Sequence, residues 1–174
     1  METPSWPRRH NTLRLAGHDY RMGGSYAVTI RVQHGLRLFG KMVNGEMRLN
    51  AAGEMVAEVW KGMETHQPGV RLGQYVVMPN HFHGIVVLFQ SEGGKESQAT
   101  DGPEAAELSL GDVVSRYKSL TTRRYIEGVK TDGWRRFDGR VWQRGYYDSW
   151  LRDEGAVVRF GEYVRRNPER WSQS

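Results

Sequence analysis

Apolar and polar residues alternate from Tyr26 to Val32 (YAVTIRV), with β-branched side chains enriched, so this segment predicts a strand. Leu36–Phe39 is expected to continue a sheet. Asn44-Gly45 lies between the apolar positions Met42, Val43, Met47 and Leu49, the two-residue hairpin signal. The period then changes. Met55, Val56, Val59, Trp60 and Met63 share one helical face, which predicts a helix over 51–65 with Asn50 as its cap. Gln67-Pro68-Gly69 is a turn. Two apolar runs follow, Arg71–Met78 and His81–Phe89, separated by Pro79-Asn80. Proline is confined to strand starts, edges and bulges, so the separation is a true break in the strand.

Residues 91–107 (SEGGKESQATDGPEAAE) are polar, acidic and Gly-containing, and predict a flexible loop within one domain over 1–174. Ser109 or Asp112 starts a helix over 113–125. Lys130–Gly139 is a turn-rich connection, and Val141–Tyr147 a short strand. A last helix starts at Asp153 or Glu154 and runs through Arg166, stopped by Asn167-Pro168. Gly155 and Gly161 weaken that helix by about 1 kcal/mol each. Residues 1–19 are expected to be a polar, basic arm. No internal repeat is visible. The expected architecture is α+β, an antiparallel sheet with helices packed mainly on one face.

Length and composition narrow the classes. The 174 residues suit one domain, and 38% hydrophobic residues suffice for a core. There is no cysteine, which excludes disulfides, thiolate metal sites and a thiol nucleophile. No apolar run reaches the roughly 18–20 residues of a membrane span, and the first residues lack the apolar region of a secretory signal. A cytoplasmic location is the expectation.

The net charge of +5 is unevenly spread. Residues 1–48 carry eight basic and three acidic side chains, residues 49–110 three and eight, and residues 111–174 fourteen and nine. The C-terminal third interleaves arginines with Tyr117, Tyr125, Trp134, Phe137, Trp142, Tyr146, Tyr147 and Trp150. Arginine grips phosphate bidentately and aromatic faces stack on unpaired bases. A solvated helical surface over ordinary core aromatics gives the same pattern.

His81-Phe82-His83 is the sharpest chemical feature. On a strand the two imidazoles share one face while Phe82 takes the other, so one divalent ion can bridge them. The same spacing also occurs in strands without a metal. Two histidines do not fill a coordination sphere, so a third protein ligand is required. His10, His18, His34 and His66 lie in expected arm or loop positions and suggest no site. Tyr163 and Asn167 are four apart on the last helix and share a face. An amide oxygen can ligate a hard cation, and an activated tyrosine hydroxyl can be a nucleophile. A free tyrosine, with a pKa near 10, is only about a thousandth ionised at pH 7. Equally, Tyr163 can be a core aromatic and Asn167 a helix stop.

Three long strings carry a family resemblance: MPNHFHGIVVL (78–88), VWQRGYYDSWLRDE (141–154) and EYVRRNPERW (162–171). Weaker matches at 14–32, 38–60 and 115–125 extend it in order from about residue 14. The chain resembles the REP-associated branch of the IS200-type tyrosine transposases, single-strand DNA enzymes of the HUH class with a ferredoxin-like fold. By that resemblance His81 and His83 are paired metal ligands, Asn167 the third, and Tyr163 the single catalytic tyrosine. Tyr146 and Tyr147 compete for the last role. Gly145 and Ser149 stand where relatives often have Asn and His.

The resemblance implies a divalent cofactor, Mg²⁺ or Mn²⁺, although imidazole also suits softer metals. It implies a single-stranded, hairpin-forming repeat DNA as partner, cut and rejoined through a 5′-phosphotyrosine link, and leaves room for a homodimer. The side chains expected to hold the strand are Arg116, Lys118, Arg123, Arg124, Arg144, Arg165 and Arg166. Two rivals remain open: a nuclease in which water attacks, and a DNA-binding or regulatory protein without turnover.

Overall fold

A computed structural model describes residues 23–64, 69–89 and 108–171. The expected arm at 1–19, the expected loop at 91–107, Gln67-Pro68, His10, His18 and His66 lie outside these residues. The chain order is β1 (Gly24–Arg31), β2 (Gly40–Val43), β3 (Glu46–Leu49), α1 (Ala51–Met63), β4 (Val70–Met78), β5 (His81–Leu88), α2 (Leu110–Thr131), β6 (Tyr147–Leu151) and α3 (Glu154–Trp171). Four strands form an antiparallel sheet in the order β4-β5-β1-β6, and β2 and β3 form a separate hairpin. The architecture is α+β, as the sequence pattern predicts. No helix among the described residues is long and apolar enough to cross a membrane.

Side chains alternate across the sheet, and each face has its own apolar cluster. Tyr26, Val28, Ile30, Phe82 and Val86 face α1 and α2, joining Val56, Trp60, Val113 and Tyr117. Ala27, Ile85 and Leu151 face α3, joining Phe160 and Val164. The helices are thus two on one face and one on the other. His81 and His83 have the parity of Ile85 and so face α3.

The local signals act as expected. Asn44 and Gly45 take positive φ values of 52° and 79°, closing the β2–β3 hairpin. The Asn50 side chain accepts from Gly53 N at 2.9 Å and caps α1. Ser109 caps α2, and Asp112 answers it in a reciprocal capping box. Pro79 and Asn80 form the two-residue turn between β4 and β5, pairing Met78 with His81.

Three expectations are corrected. Leu36–Phe39 is not a strand. Leu38 and Phe39 are both buried, but their N–H groups both donate to Pro79 O instead of to a neighbouring strand. The sixth strand also starts later than expected. Val141 and Trp142 are both buried in an irregular segment joined to Val32 by one bridge, and the ladder starts at Tyr147. The last helix also does not stop at Asn167-Pro168. It continues to Trp171, with Pro168 inside. An internal proline costs about 3 kcal/mol in an isolated helix. Here the last turn is held by packing: Asn167 is buried and Trp171 lies 5.4 Å from the His81 ring.

Gly84 lets α1 approach β5 directly beneath His83. A Cβ at Gly84 would lie 2.7 Å from Trp60 Cζ2 and 2.8 Å from Phe82 Cε1. Gly84→Ala is therefore expected to cost about 1–3 kcal/mol. Urea unfolding measures this, and an unchanged midpoint would show that Trp60 yields freely.

Candidate active site

At the end of the sheet where β5 begins, a cleft of about 530 Å³ opens between the sheet and α3. Thr29, Arg31, Asn80, His81 and His83 line its sheet side. Tyr163, Asn167, Arg170 and Trp171 line its helix side. The cross-strand register builds the first set. Arg31 pairs with His81, and Thr29 pairs with His83 on one side and Tyr147 on the other. Helical spacing builds the second: Tyr163, Asn167, Arg170 and Trp171 fall on the face that α3 turns to the sheet.

The two imidazoles stand edge to face with ring centroids 4.7 Å apart. Each is oriented through Nδ1. His81 Nδ1 lies 2.7 Å from Asn80 Oδ1, and Asn80 Nδ2 donates to Gly35 O at 3.5 Å. An amide oxygen only accepts, so His81 carries its proton on Nδ1 and leaves Nε2 with its lone pair. His83 Nδ1 pairs with Thr29 Oγ1 at 2.7 Å, which leaves its Nε2 free of that contact. Such outer partners are what orient metal-binding histidines.

Burial holds both rings neutral. The His81 pKa is lowered from 6.5 to about 4, first by burial and then by the Arg31 charge, against a hydrogen bond with the Asn167 side chain. His83 is lowered well below its ordinary value by burial, by His81 and by Arg31. Among the described residues the buried polar side chains are His83, Asn167 and Thr121. Thr121 is accounted for by its bonds with Tyr117 O and Trp142 Nε1. The other two belong to this cleft.

Tyr163 closes the arrangement from α3. Its ring lies 5.4 Å from the His83 ring and 5.6 Å from Phe160. The four chemistry-bearing residues expected from the sequence therefore meet within one chain. Two imidazoles and an amide are a neutral donor set that suits a divalent cation needing further oxygen ligands. No carboxylate lines the cleft among the described residues. Tyr147 is placed on the same sheet face, under the Arg31 guanidinium at 5.2 Å. Tyr146 packs against the opposite cluster.

The basic residues divide. Lys118, Arg123 and Arg144 line a second, larger groove of about 1020 Å³ between α2 and residues 139–145, together with Lys130 and Arg140. Lys118 donates to the carbonyls of Gln143 and Gly145 at 2.7 and 3.0 Å, so it also pins that segment. Gln143 lines both the groove and the His cleft. Arg116 and Arg124 are exposed on α2 and do not line the groove, and Arg165 and Arg166 are exposed on α3 outside the cleft. Sequence reasoning did not single out Arg31, Asn80, Gln143, Arg170 or Trp171. For Arg170 the signal was available, three residues after Asn167 on one helix. For Arg31 it was not, since the strand register decides its neighbours.

An uncharacterized protein of Haemophilus influenzae (strain Rd) is 33% identical over 171 residues, covering 93% of this chain and 89% of its own. The chain belongs to one family with that protein. Its fold is that of the REP-associated tyrosine transposases. A REP-associated tyrosine transposase solved with a REP hairpin superposes with a TM-score of 0.51 at 16% identity, over 84% of this chain and 67% of the other. No protein-family model matches the chain. In this chain the fold places His81 and His83 on β5, a central strand, and Tyr163 on α3, the last helix.

The lowered histidines make the protein less stable in acid. A His81 with a folded pKa near 4 and an unfolded value of 6.5 contributes stability that is complete above pH 6.5. That stability is lost as pH falls towards 4, by about 3 kcal/mol. His83 acts in the same direction. Urea midpoints measured between pH 7 and pH 4 should fall, and His81→Gln should make the fall shallower. A slope unaltered by that substitution would contradict the burial of a neutral imidazole.

Proposed function

We propose that this chain cuts and rejoins single-stranded, hairpin-forming DNA, with Tyr163 as nucleophile and His81, His83 and Asn167 as ligands of a divalent cation. The convergence of these four side chains in one cleft, from β5 and α3 of the same chain, carries the reading. The transposase fold supports it, as does the REP hairpin bound to the structural neighbour.

The cation, Mg²⁺ or Mn²⁺, would draw charge from the scissile phosphate and so reduce the need for a fully ionised tyrosine. The chain's own residues do the rest. The Tyr163 hydroxyl oxygen bonds to phosphorus, the bond to the 3′ oxygen breaks, and the tyrosine proton ends on that oxygen. The products are a 5′-phosphotyrosine and a free 3′-hydroxyl. One phosphodiester replaces another, so rejoining needs no ATP. Asn80 and Thr29 hold the imidazoles in one orientation. The groove along α2, which shares the lining residue Gln143 with the cleft, offers Arg123, Arg140 and Arg144 to flanking phosphates. Binding through such contacts falls steeply with salt.

The test is a labelled hairpin oligonucleotide with Mg²⁺ or Mn²⁺, assayed for an adduct that survives denaturant. The wild type should form it and Tyr163→Phe should not. An adduct that persists in Tyr163→Phe overturns the nucleophile, and cleavage without adduct in that variant points to water as the attacking group. Asn80→Ala should weaken cation affinity about 10–100-fold while leaving the fold intact. Calorimetric titration of Mn²⁺ checks this, and an unchanged affinity would remove Asn80 from the site.

A further inference from the structure

Arg31 is the cleft residue with the least obvious reason to be there. It lies directly opposite His81 on the central strand and points to the same face. Its guanidinium is laid over the Tyr147 ring at 5.2 Å. Tyr147 is itself in register with Thr29, which bonds His83. A planar cation is thus braced beside the histidine pair by an aromatic face, a contact that arginine makes more often than lysine.

The charges around it do not balance for a bound cation. The three proposed ligands are all neutral, and the cleft contains no carboxylate among the described residues. Arg31 and Arg170 both line it, and a third guanidinium, Arg37, sits 5.8 Å over the Trp171 ring at its edge. A divalent cation entering alone would meet the Arg31 charge beside His81, with no carboxylate among the described lining residues. A phosphodiester supplies what is missing. One oxygen can face the imidazoles while the other faces the guanidinium fork.

We propose that Arg31, braced on Tyr147, grips the phosphodiester over the His81–His83 pair and makes cation binding there depend on the phosphodiester being present. This rests on the function proposed above and adds an order to it: the ion is held tightly only once the strand is in place. An idle protein would then carry little bound cation. Arg31 would be a binding residue for the phosphate and a brake on the empty site.

The test uses Mn²⁺ affinity, read by titration calorimetry with and without a short oligothymidylate, and oligothymidylate affinity across a salt series without metal. For the wild type, Mn²⁺ affinity should rise about tenfold or more when the oligonucleotide is present. Arg31→Gln should bind Mn²⁺ alone more tightly than the wild type and show no such rise. Its plot of log affinity for the oligonucleotide against log salt should be shallower by about 0.7, the loss of one single-strand phosphate contact. Arg31→Lys, which keeps the charge without the fork, should retain the weak Mn²⁺ binding and recover only part of the rise. A merely structural Arg31 would move none of these together. An unchanged rise and an unchanged slope in Arg31→Gln would overturn the proposal. If neither protein binds Mn²⁺ under any condition, the ligand set of the proposed function is wrong, and the salt slope alone decides the Arg31 contact.

Discussion

Phe160 and Val164 of the last helix pack on Ala27, Ile85 and Leu151 of the sheet, and the cleft exists because of that contact. Neither partner is a site alone. The sheet brings two oriented imidazoles, and the helix brings a tyrosine and an amide one turn apart. Gly161 makes the approach close, since a Cβ there would lie 2.3 Å from Gln74 Oε1 on β4. The helix then carries on through Pro168, which places Trp171 against His81 and the Arg170 guanidinium 5.8 Å from the Tyr163 ring. The rest of the molecule supports this docking: α1 and α2 fill the far face and keep β5 rigid from behind.

The electrostatic character of the cleft follows from the same geometry. Burial removes the option of protonated histidines at neutral pH, so the imidazoles present lone pairs and not positive charge. Arginines on aromatic faces supply the positive charge instead, at fixed positions along the edge. Neutral donors in the middle with cations around them are what the proposed pairing of a phosphate with a metal requires. A carboxylate-lined metal site has the opposite balance. The absence of cysteine removes thiolate ligands, while the two imidazoles suit borderline metals as well as Mn²⁺.

Much of this was legible in the sequence. Asn44-Gly45, Asn50 and Ser109 act locally, through φ preference and capping, and so their elements were readable without tertiary information. The His81–His83 parity and the Tyr163–Asn167 spacing were readable for the same reason, as properties of one strand and one helix. What failed was non-local. Leu38–Phe39 and Val141–Trp142 are adjacent buried pairs whose places depend on distant partners, the turn at Pro79 and the end of β1. Pro168 was expected to end a helix because its local penalty is real, but packing of Asn167 and Trp171 outweighs it. Arg31 was invisible as a cleft residue because only strand register sets it against His81. Charge counting pointed to the Arg-rich C-terminal third, yet Arg165 and Arg166 face away from the cleft while Arg170 enters it.

The central claim is that α3 and β5 of one chain together hold a cation beside the tyrosine. Paramagnetic line broadening by Mn²⁺, followed by NMR on the protein bound to a single-stranded oligonucleotide, tests it most directly. Signals of the His81 and His83 rings, the Asn167 side-chain amide and the Tyr163 ring should broaden first and together. Broadening centred on surface carboxylates, with these four groups untouched, would contradict it.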